Sequence, residues 1–349
     1  MKTVLAQIKL KTADFKFNAE NIINNAAKCD CDLIIFPQSD IEDLGGKDLV
    51  LDETCRKRQY EFYQEIADRN FKQNILIGDI LIRNGEIEVS HNGFFDVNGK
   101  KVFVSDTYLE DVECDLYVLA KNRYFAKNTY MDFVDSIQTD CNLIYVNAIG
   151  IADENIFAGG SFAKNANNEL VLQMPVCKED IETVDFSRVI EFFDEAEEAQ
   201  ILDVVTFALK EYCENTGFKK VVLGLSGGID SALTAAIAVK ALGADSVTGI
   251  MMPSMYSSEG SVTDSIKLAE NLGIKTITEP ITPLFNAFMQ GRESLRDLAE
   301  ENLQARLRGL ILMFYSNREN MLLLSTGNKS ESAMGFGTLY GDMAGGEHV

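Results

Sequence analysis

A strand, a glycine-rich turn and a helix that follow one another without a break constrain the fold of this chain most. Lys219–Gly224 is an apolar strand, Leu225–Ile229 is the turn, and Asp230–Leu242 is a helix that ends at Gly243. Glycine lets a ligand approach the backbone closely, and the unpaired N–H groups and positive dipole at a helix start favour an anion. The segment therefore predicts an α/β domain with an anion-binding site at this turn.

Three interpretations of the turn compete. The first is a plain glycine turn that lets the strand and helix pack. The second is a nucleophile elbow, because Gly224–Gly228 fits the form G-x-S-x-G and His348 follows late in the chain. The third is a pyrophosphate loop, which is not of the Walker type because no Lys-Ser or Lys-Thr pair follows the glycines. Ser226 and Ser231 would add hydroxyl donors to such a loop, and Asp230 suits a divalent cation that accompanies phosphates.

The string Ser226-Gly227-Gly228-Ile229-Asp230-Ser231 resembles the signature of the ATP pyrophosphatase superfamily, whose members cleave ATP to AMP and pyrophosphate. This resemblance favours the pyrophosphate loop over the nucleophile elbow. Further blocks follow in the order found in the synthetase domain of NAD synthetases, at Met251–Ser258, Glu300–Gly309, Ser325–Glu331 and Thr338–Gly346. Over about residues 195–346 the chain is similar to that domain, which implies a Rossmann-like, doubly wound parallel sheet.

The resemblance implies an amide-forming ligase that takes ATP, deamido-NAD, ammonia or glutamine, and Mg²⁺. ATP would adenylate the nicotinate carboxylate, and ammonia would then displace AMP. ATP binding is assigned by position to Gly224, Leu225, Ser226, Gly227, Gly228, Ile229, Asp230, Ser231 and Thr326. Deamido-NAD binding is assigned to Asn302, Arg306, Glu331, Phe336, Gly337, Thr338 and Leu339, and Mg²⁺ to Asp230 and Glu331.

Ordinary structural roles remain open for some of these residues. Glu331 and Asn302 are also suitable polar residues for the start of a helix. Arg306 and Arg308 could also be ordinary solvated arginines on the surface of a helix.

The first half of the chain alternates short apolar strands with helices, which predicts a second α/β domain. Asn98-Gly99 predicts the turn of a hairpin. The stretches Asp32–Pro37, Tyr145–Gly150 and Phe157–Phe162 resemble the nitrilase-type amidase domain that is fused to glutamine-dependent NAD synthetases. That resemblance implies an α/β sandwich in which a Glu–Lys–Cys triad hydrolyses glutamine and delivers ammonia.

The triad is not found at the matching positions. Gln38 stands where the general-base Glu is expected, and an amide cannot accept a proton usefully near neutral pH. Asp106 and Thr107 stand where the Lys is expected, and the segment that would contain the Cys turn is missing before Asp115–Leu119. The nearest thiol, Cys114, has flanking carboxylates that would raise its pKa. We therefore expect a degenerate glutaminase domain, kept for packing or assembly, and a synthetase that uses free ammonia.

These patterns predict a nitrilase-like domain at residues 1–177, an acidic linker at 178–198 and the synthetase domain at 199–349. The net charge of −22 argues against nucleic acid or an anionic membrane as the main partner, because neutralising phosphates needs a basic surface. No apolar run is long enough for a membrane span, so we expect a cytoplasmic protein. The seven scattered cysteines are expected to be buried free thiols, and the two histidines, His91 and His348, argue against a His-based zinc site.

The last part of the chain carries two further expectations. Leu310–Phe314 is apolar on nearly every helix face, which predicts burial in the core or in a subunit interface, and the resemblance implies a homo-oligomer through this helix. In the family, Gly345-Gly346 precedes a long segment with a lysine that reaches the ATP phosphates, whereas this chain stops at Val349. We therefore expect a truncated synthetase domain with His348 on its surface. The alternatives are an inactive remnant that binds nucleotide and a different ATP pyrophosphatase.

Overall fold

A computed structural model describes residues 1–90, 93–127, 130–153, 155–193 and 196–342, and the backbone of 347–348. The predictions for His91, for Asp194 and Glu195 of the acidic segment, for Gly345-Gly346 and for the side chain of His348 lie outside the described residues. The chain divides into two compact units, Met1–Val204 and Val205–Val349.

The first unit is built from short strands and three α-helices of the described chain. Its strands are β1 Thr3–Gln7, β2 Leu33–Phe36, β3 Asn74–Ile77, β4 Ile80–Arg83, β5 Glu86–Val89, β6 Phe94–Val97, β7 Lys100–Ser105, β8 Leu116–Ala120, β9 Asn142–Val146, β10 Ile149–Ala152, β11 Asn155–Ala158, β12 Phe162–Lys164, β13 Leu170–Gln173 and β14 Asp180–Val184. Its helices are α1 Phe15–Ala26, α2 Glu53–Ala67 and α3 Tyr130–Ser136, with a 3-10 helix at Lys47–Leu51.

These strands form two six-stranded sheets, in the orders β14-β1-β2-β3-β4-β5 and β13-β12-β9-β8-β7-β6, and β10 pairs with β11. Side chains alternate between the faces of each strand. In β2, Ile34 and Phe36 pack with α1 and α2, whereas Leu33 and Ile35 pack in a core that includes residues of both sheets. On β8, Tyr117 faces α3 while Val118 faces the core between the sheets. The unit is therefore an α–β–β–α sandwich, and the predicted α/β sandwich is confirmed.

The second unit is a single parallel sheet with helices. Its helices are α4 Glu197–Thr216, which lies across the division between the units, α5 Ile229–Leu242, α6 Glu259–Leu272, α7 Thr282–Met289, α8 Leu298–Glu319 and α9 Lys329–Met334, with a 3-10 helix at Ala244–Ser246. Its strands are β15 Val221–Leu225, β16 Val247–Met251, β17 Lys275–Thr278, β18 Leu322–Ser325 and β19 Glu347–His348.

The strand order is β17-β16-β15-β18-β19, and every described pair is parallel. The order reverses direction at β15, which lies between β16 and β18. Ligands of open α/β sheets bind outside the carboxyl ends of the strands at such a switch point. The predicted Rossmann-like class is confirmed, and its topology predicts a ligand site just beyond Leu225 and Ser325.

Part of the predicted acidic linker is not a linker in the structure. Asp180–Val184 forms β14, which pairs antiparallel with β1 along its whole length. The segment forms a strand because two of its apolar side chains become buried, which its many charges do not predict. Val184 is buried in the core between the sheets, and Ile181 packs against the helix-facing core. The linker boundaries otherwise remain a prediction.

The apolar part of α8 is less buried than the sequence predicts. Ile311 is buried, but Leu310 is 62% and Phe314 52% exposed within one chain. Burial of this whole stretch in the core of its own domain is therefore wrong, and the interface hypothesis remains a prediction. The helix covers β15 and β18 with one face only, so the other apolar side chains stay outside.

The cysteines are only partly as expected. No two cysteines of the described chain form a disulfide, but burial applies to Cys141 and Cys213 alone, while the other five are half-buried. None of the described helices combines the length and apolarity that a membrane span requires.

Gly309 fixes how the segment after α9 packs on α8. A Cβ at this helical position would lie 2.9 Å from the carbonyl oxygen of Gly341 and 3.1 Å from that of Tyr340. We expect Gly309→Val to lower the free energy of unfolding by about 1–3 kcal/mol, because backbone atoms must move away. Urea unfolding followed by circular dichroism measures it.

The matched control is Gly260→Val in α6, where a Cβ would meet nothing closer than 3.9 Å. We expect this control to be neutral or slightly stabilising, since valine has a higher helix propensity than glycine. Equal unfolding curves for both variants would contradict the close packing at Gly309.

Candidate active site

The glycine-rich turn is a tight loop between β15 and α5. Gly227 has φ +79°, and a Cβ there would lie 2.5 Å from the carbonyl oxygen of Ser261. Gly228 is the N-cap of α5, and its extended backbone offers no side chain to cap the helix. The first N–H groups of α5 therefore have no capping side chain, which is the arrangement that suits a bound anion.

The two loop serines stabilise the turn before any ligand arrives. The Oγ atoms of Ser226 and Ser231 lie 3.1 Å apart, and Ser231 Oγ donates to the carbonyl of Gly228 at 3.0 Å. The N–H of Gly228 donates to Ser226 Oγ at 3.2 Å. Ser231 is buried and Ser226 is exposed, so Ser226 is the hydroxyl that faces outward from this network. Ile229, also assigned to this loop, is 78% exposed.

Asp230 and Glu331 are connected through Asn328. Asn328 Nδ2 donates to Asp230 Oδ1 at 3.3 Å. Asn328 also caps α9: its Oδ1 accepts from the N–H of Glu331 at 2.9 Å, and Glu331 Oε2 accepts from the N–H of Asn328 at 3.2 Å. The helix-start role that the sequence left open for Glu331 is thus present. Within the described chain no group of three or more His, Cys, Asp or Glu is arranged to hold a metal.

Four of the residues assigned to deamido-NAD form two hydrogen-bonded pairs. Thr338 Oγ1 donates to Asn302 Oδ1 at 2.8 Å, and Arg306 Nε donates to the carbonyl of Leu339 at 3.2 Å. Side chains of α8 therefore hold the 338–339 segment in place. Phe336 and Gly337 are exposed beyond the end of α9. Among the described residues, neither of them forms a hydrogen bond with Asn302 or Arg306.

A cavity of about 410 Å³ opens at the carboxyl ends of β15, β16 and β18. Four of the residues assigned to ATP line it, namely Gly224, Leu225, Ser226 and Thr326. The lining also includes residues that the sequence did not assign to the site, namely Met251, Met252, Pro253, Ser257, Ser261, Val262, Ser265, Ala305, Arg308, Gly309, Leu312, Leu324, Ser325, Gly341 and Asp342. The sequence could have predicted that Met252 lines the cavity, because it directly follows β16 and neighbouring parallel strands end at the same edge of a sheet.

In the first unit, another cavity lies beside Gln38, the residue at the position where the sequence resemblance expects the general-base Glu. Gln38 lines it with Asp79, Ser105 and Asp106. The Nε2 of Gln38 donates to Asp40, and its buried Oε1 has no hydrogen-bond partner among the described residues. A Cβ at Gly78 would overlap this amide oxygen at 1.0 Å, so the glycine makes room for the Gln38 side chain. The described lining of the cavity contains neither a cysteine nor a lysine.

Cys114 lies at the wrong end of the sheet for this cavity. Ala120, which lines the cavity, ends β8, whereas Cys114 precedes the start of that strand. Six residues of extended chain span roughly 20 Å. The pKa of the Cys114 thiol is raised, as predicted, but the main cause is its hydrogen bond with Cys141, whose Sγ lies 3.2 Å away, followed by burial.

Lys121 follows β8 at the cavity end, but its ammonium group is already paired. It contacts the carboxylate of buried Asp43, and this hydrogen bond raises the pKa of Lys121. A lysine that holds its proton more tightly is a poor base. The sequence did not single out Lys121, because only the fold brings residues 43 and 121 together.

The parallel sheet, the tight glycine loop at its switch point and the adjoining cavity define a Rossmann-like α/β domain, and the Ser226–Ser231 string of the loop is that of the ATP pyrophosphatase class. A sequence model described as NAD synthase matches residues 201–348. A glutamine-dependent NAD(+) synthetase of Acinetobacter baylyi is 31% identical, and the alignment covers 99% of this chain and 76% of that protein. The chain therefore belongs to the family of glutamine-dependent NAD(+) synthetases, whose members are ligases that form carbon–nitrogen bonds.

A solved structure extends the similarity over both units. The glutamine-dependent NAD⁺ synthetase of Acinetobacter baumannii in complex with ADP superposes with a TM-score of 0.90 at 31% identity, covering 99% of this chain and 78% of that chain. A Synechocystis synthetase is 44% identical over 58% of this chain but only 39% of its own length. The Acinetobacter baylyi alignment runs over 418 residues although this chain has 349, so that relative contains segments without a counterpart here.

Proposed function

We propose that this chain catalyses the ATP-dependent amidation of deamido-NAD to NAD, with free ammonia as the nitrogen donor. The proposal is carried by one observation: residues assigned to ATP and neighbours of residues assigned to deamido-NAD line the same cavity. Gly224, Leu225 and Ser226 of the phosphate loop border the cavity together with Thr326. Ala305 and Gly341 also border it, and they adjoin the Asn302–Thr338 and Arg306–Leu339 pairs. The A. baumannii relative, solved with ADP, supports an adenine nucleotide as ligand.

The first step activates a carboxylate, which is a poor electrophile. A nicotinate oxygen attacks the α-phosphorus of ATP, a phosphorus–oxygen bond forms, and the bond to the departing pyrophosphate breaks. The loop would contribute by holding the phosphates with the backbone N–H of Gly227 and the N–H groups of the first turn of α5, while Asn302 and Arg306 order the segment assigned to deamido-NAD. Catalysis here is positioning together with stabilisation of developing charge.

In the second step ammonia attacks the acyl carbon, a carbon–nitrogen bond forms, and the carbon–oxygen bond to AMP breaks. One proton is released from the nitrogen, and the products are the amide and AMP. The free electron pair of uncharged ammonia is the nucleophile, so the rate with ammonium salts should rise as the pH approaches the pKa of ammonium.

Asp230 and Glu331 would hold Mg²⁺ in this account. They fit the ion, because Mg²⁺ is usually bound by one or two carboxylates together with substrate phosphates. Asp230 lies in the first turn of α5 at the phosphate loop, and Asn328 joins it to the α9 start where Glu331 lies. The bound ion would neutralise charge on the departing pyrophosphate.

Free ammonia is proposed as the donor because the described lining of the cavity beside Gln38 contains no glutamate, lysine or cysteine that could form the glutamine-hydrolysing triad. Gln38 cannot serve as a base, Cys114 lies roughly 20 Å along the strand from the cavity, and Lys121 is committed to Asp43. The first unit would then serve packing or assembly. Assembly as a homo-oligomer through the exposed apolar part of α8 remains a prediction.

The proposed reaction predicts the fate of carboxylate oxygen. With deamido-NAD carrying ¹⁸O in its nicotinate carboxylate, we expect one ¹⁸O atom in each AMP and none in pyrophosphate, because the attacking oxygen leaves with AMP. Mass spectrometry of the two products measures it.

Two other outcomes would contradict this route. Label in pyrophosphate would mean attack at another phosphorus. Binding of ATP and deamido-NAD in a calorimeter without release of AMP would instead favour a nucleotide-binding remnant.

A further inference from the structure

Arg308 carries a charge that nothing in the described chain neutralises. It lies on α8 and lines the 410 Å³ cavity beside the phosphate loop. No carboxylate of the described residues forms an ion pair with it. Asp342 also borders the cavity, but its Oδ1 accepts a hydrogen bond from the N–H of Thr338 at 2.6 Å. Burial lowers the pKa of Arg308, and no opposing charge raises it.

The side chain is anchored in a way that leaves most of its donors unused. Arg308 Nε donates to the carbonyl of Met252 at 3.3 Å. A guanidinium has five N–H donors, so the two terminal amino groups retain four. Met252 directly follows β16, the neighbour of β15, and β15 leads into the phosphate loop. The backbone of the sheet thus fixes the guanidinium next to the predicted phosphate position.

Other arginines of the same helix are arranged differently. Arg306 is exposed and holds the carbonyl of Leu339, and Arg318 lies over the ring of Phe314. Removing a charge from water without a partner is costly, and the cost falls only when an opposite charge arrives. An arginine kept in this state suits a ligand that brings the missing negative charge.

We propose that Arg308 binds the phosphate chain of the adenine nucleotide, with its terminal amino groups as donors and Met252 as its anchor. The inference rests on the proposed function and adds a residue to the site. A planar fork of donors matches two phosphate oxygens at once, whereas a lysine supplies one point charge. The other anion of the reaction, the nicotinate carboxylate, is tested as a separate outcome.

The experiment measures binding by isothermal titration calorimetry for the full chain and its Arg308→Met, Arg308→Lys and Arg318→Met variants. The ligands are ATP, adenosine and deamido-NAD, each with Mg²⁺ present. For R308M we expect the Kd of ATP to rise about ten- to hundredfold, as for loss of a hydrogen-bonded charge, while the Kd of adenosine stays within about twofold. We expect R308K to lie between R308M and wild type, and R318M to match wild type.

A second readout separates ligand binding from a structural role. Without ligand, R308M should unfold at the same urea concentration as wild type or a higher one, because it removes a half-buried charge that has no ion-pair partner among the described residues. A lower midpoint, together with equal losses for ATP and adenosine, would overturn the inference in favour of a packing role for Arg308.

Three further outcomes would overturn the role of Arg308. Unchanged ATP binding in R308M overturns the inference and leaves the proposed function standing. A loss confined to deamido-NAD overturns it in favour of the carboxylate. Failure of the wild-type chain to bind ATP overturns the inference and the proposed function together. If R308M does not fold, R308K alone decides, and we expect a rise in the ATP Kd of at least about threefold.

Discussion

Replacing Gly227 by alanine is expected to weaken ATP binding by on the order of a hundredfold, equivalent to about 3 kcal/mol. Gly227 has φ +79°, a conformation that alanine rarely adopts. The added Cβ would also lie 2.5 Å from the carbonyl oxygen and 2.8 Å from the Cα of Ser261, so the loop and α6 must separate. The backbone amides that we propose to bind the phosphates would move with the loop. Calorimetric titration of the variant with ATP and Mg²⁺ measures the effect.

The matched control is Gly217→Ala at the end of α4. Gly217 has a similar φ of +81°, but a Cβ there would meet nothing within 4 Å. We expect this control to lose some stability from strain and to keep its affinity for ATP. Wild-type ATP affinity in G227A would show that the loop is not the phosphate site.

The Asp230→Asn variant is expected to lower the rate of AMP formation by at least about a hundredfold, because a carboxylate that holds a bound cation contributes several kcal/mol. The amide oxygen of asparagine can still accept the hydrogen bond that Asn328 Nδ2 donates to Asp230 Oδ1. The substitution therefore removes the charge and preserves the local hydrogen bond. The rate is measured at saturating ATP and deamido-NAD over a series of Mg²⁺ concentrations.

Asp264→Asn, an exposed substitution on α6, controls for the loss of one negative charge. We expect D264N to follow the wild-type Mg²⁺ dependence. A D230N rate within a few-fold of wild type would rule out Asp230 as the cation ligand, even if the reaction itself is as proposed.

Local patterns were sufficient to predict much of the fold. The apolar run before Pro37 predicts a strand, and β2 is Leu33–Phe36. Asn98-Gly99 predicts a two-residue hairpin turn, and both residues have positive φ between the paired strands β6 and β7. The glycine-rich turn before Asp230 joins a strand to a helix as predicted, because strand, turn and helix are all specified within one continuous segment. Its place at the switch point follows from the strand order of the sheet, which local patterns do not specify.

The sequence predictions are wrong or incomplete where tertiary contacts determine the structure of a segment. Charge count predicts a solvated linker at Asp180–Val184, but two apolar side chains and an unpaired edge of β1 draw that segment into a sheet. Apolar composition predicts burial of Leu310, but only one face of α8 meets the sheet. Arg308 and Arg306 are two residues apart in the sequence, and only the structure shows that one is desolvated in the cavity and the other is exposed.

The central claim is that this chain makes NAD from deamido-NAD, ATP and free ammonia. It is tested most directly by measuring NAD formation with purified protein, Mg²⁺ and saturating substrates, with either ammonium or glutamine as the only nitrogen donor. We predict that ammonium supports NAD formation with one AMP per NAD, and that glutamine gives no NAD and no glutamate above background. NAD formed equally well from glutamine, or no NAD from either donor, would contradict the account.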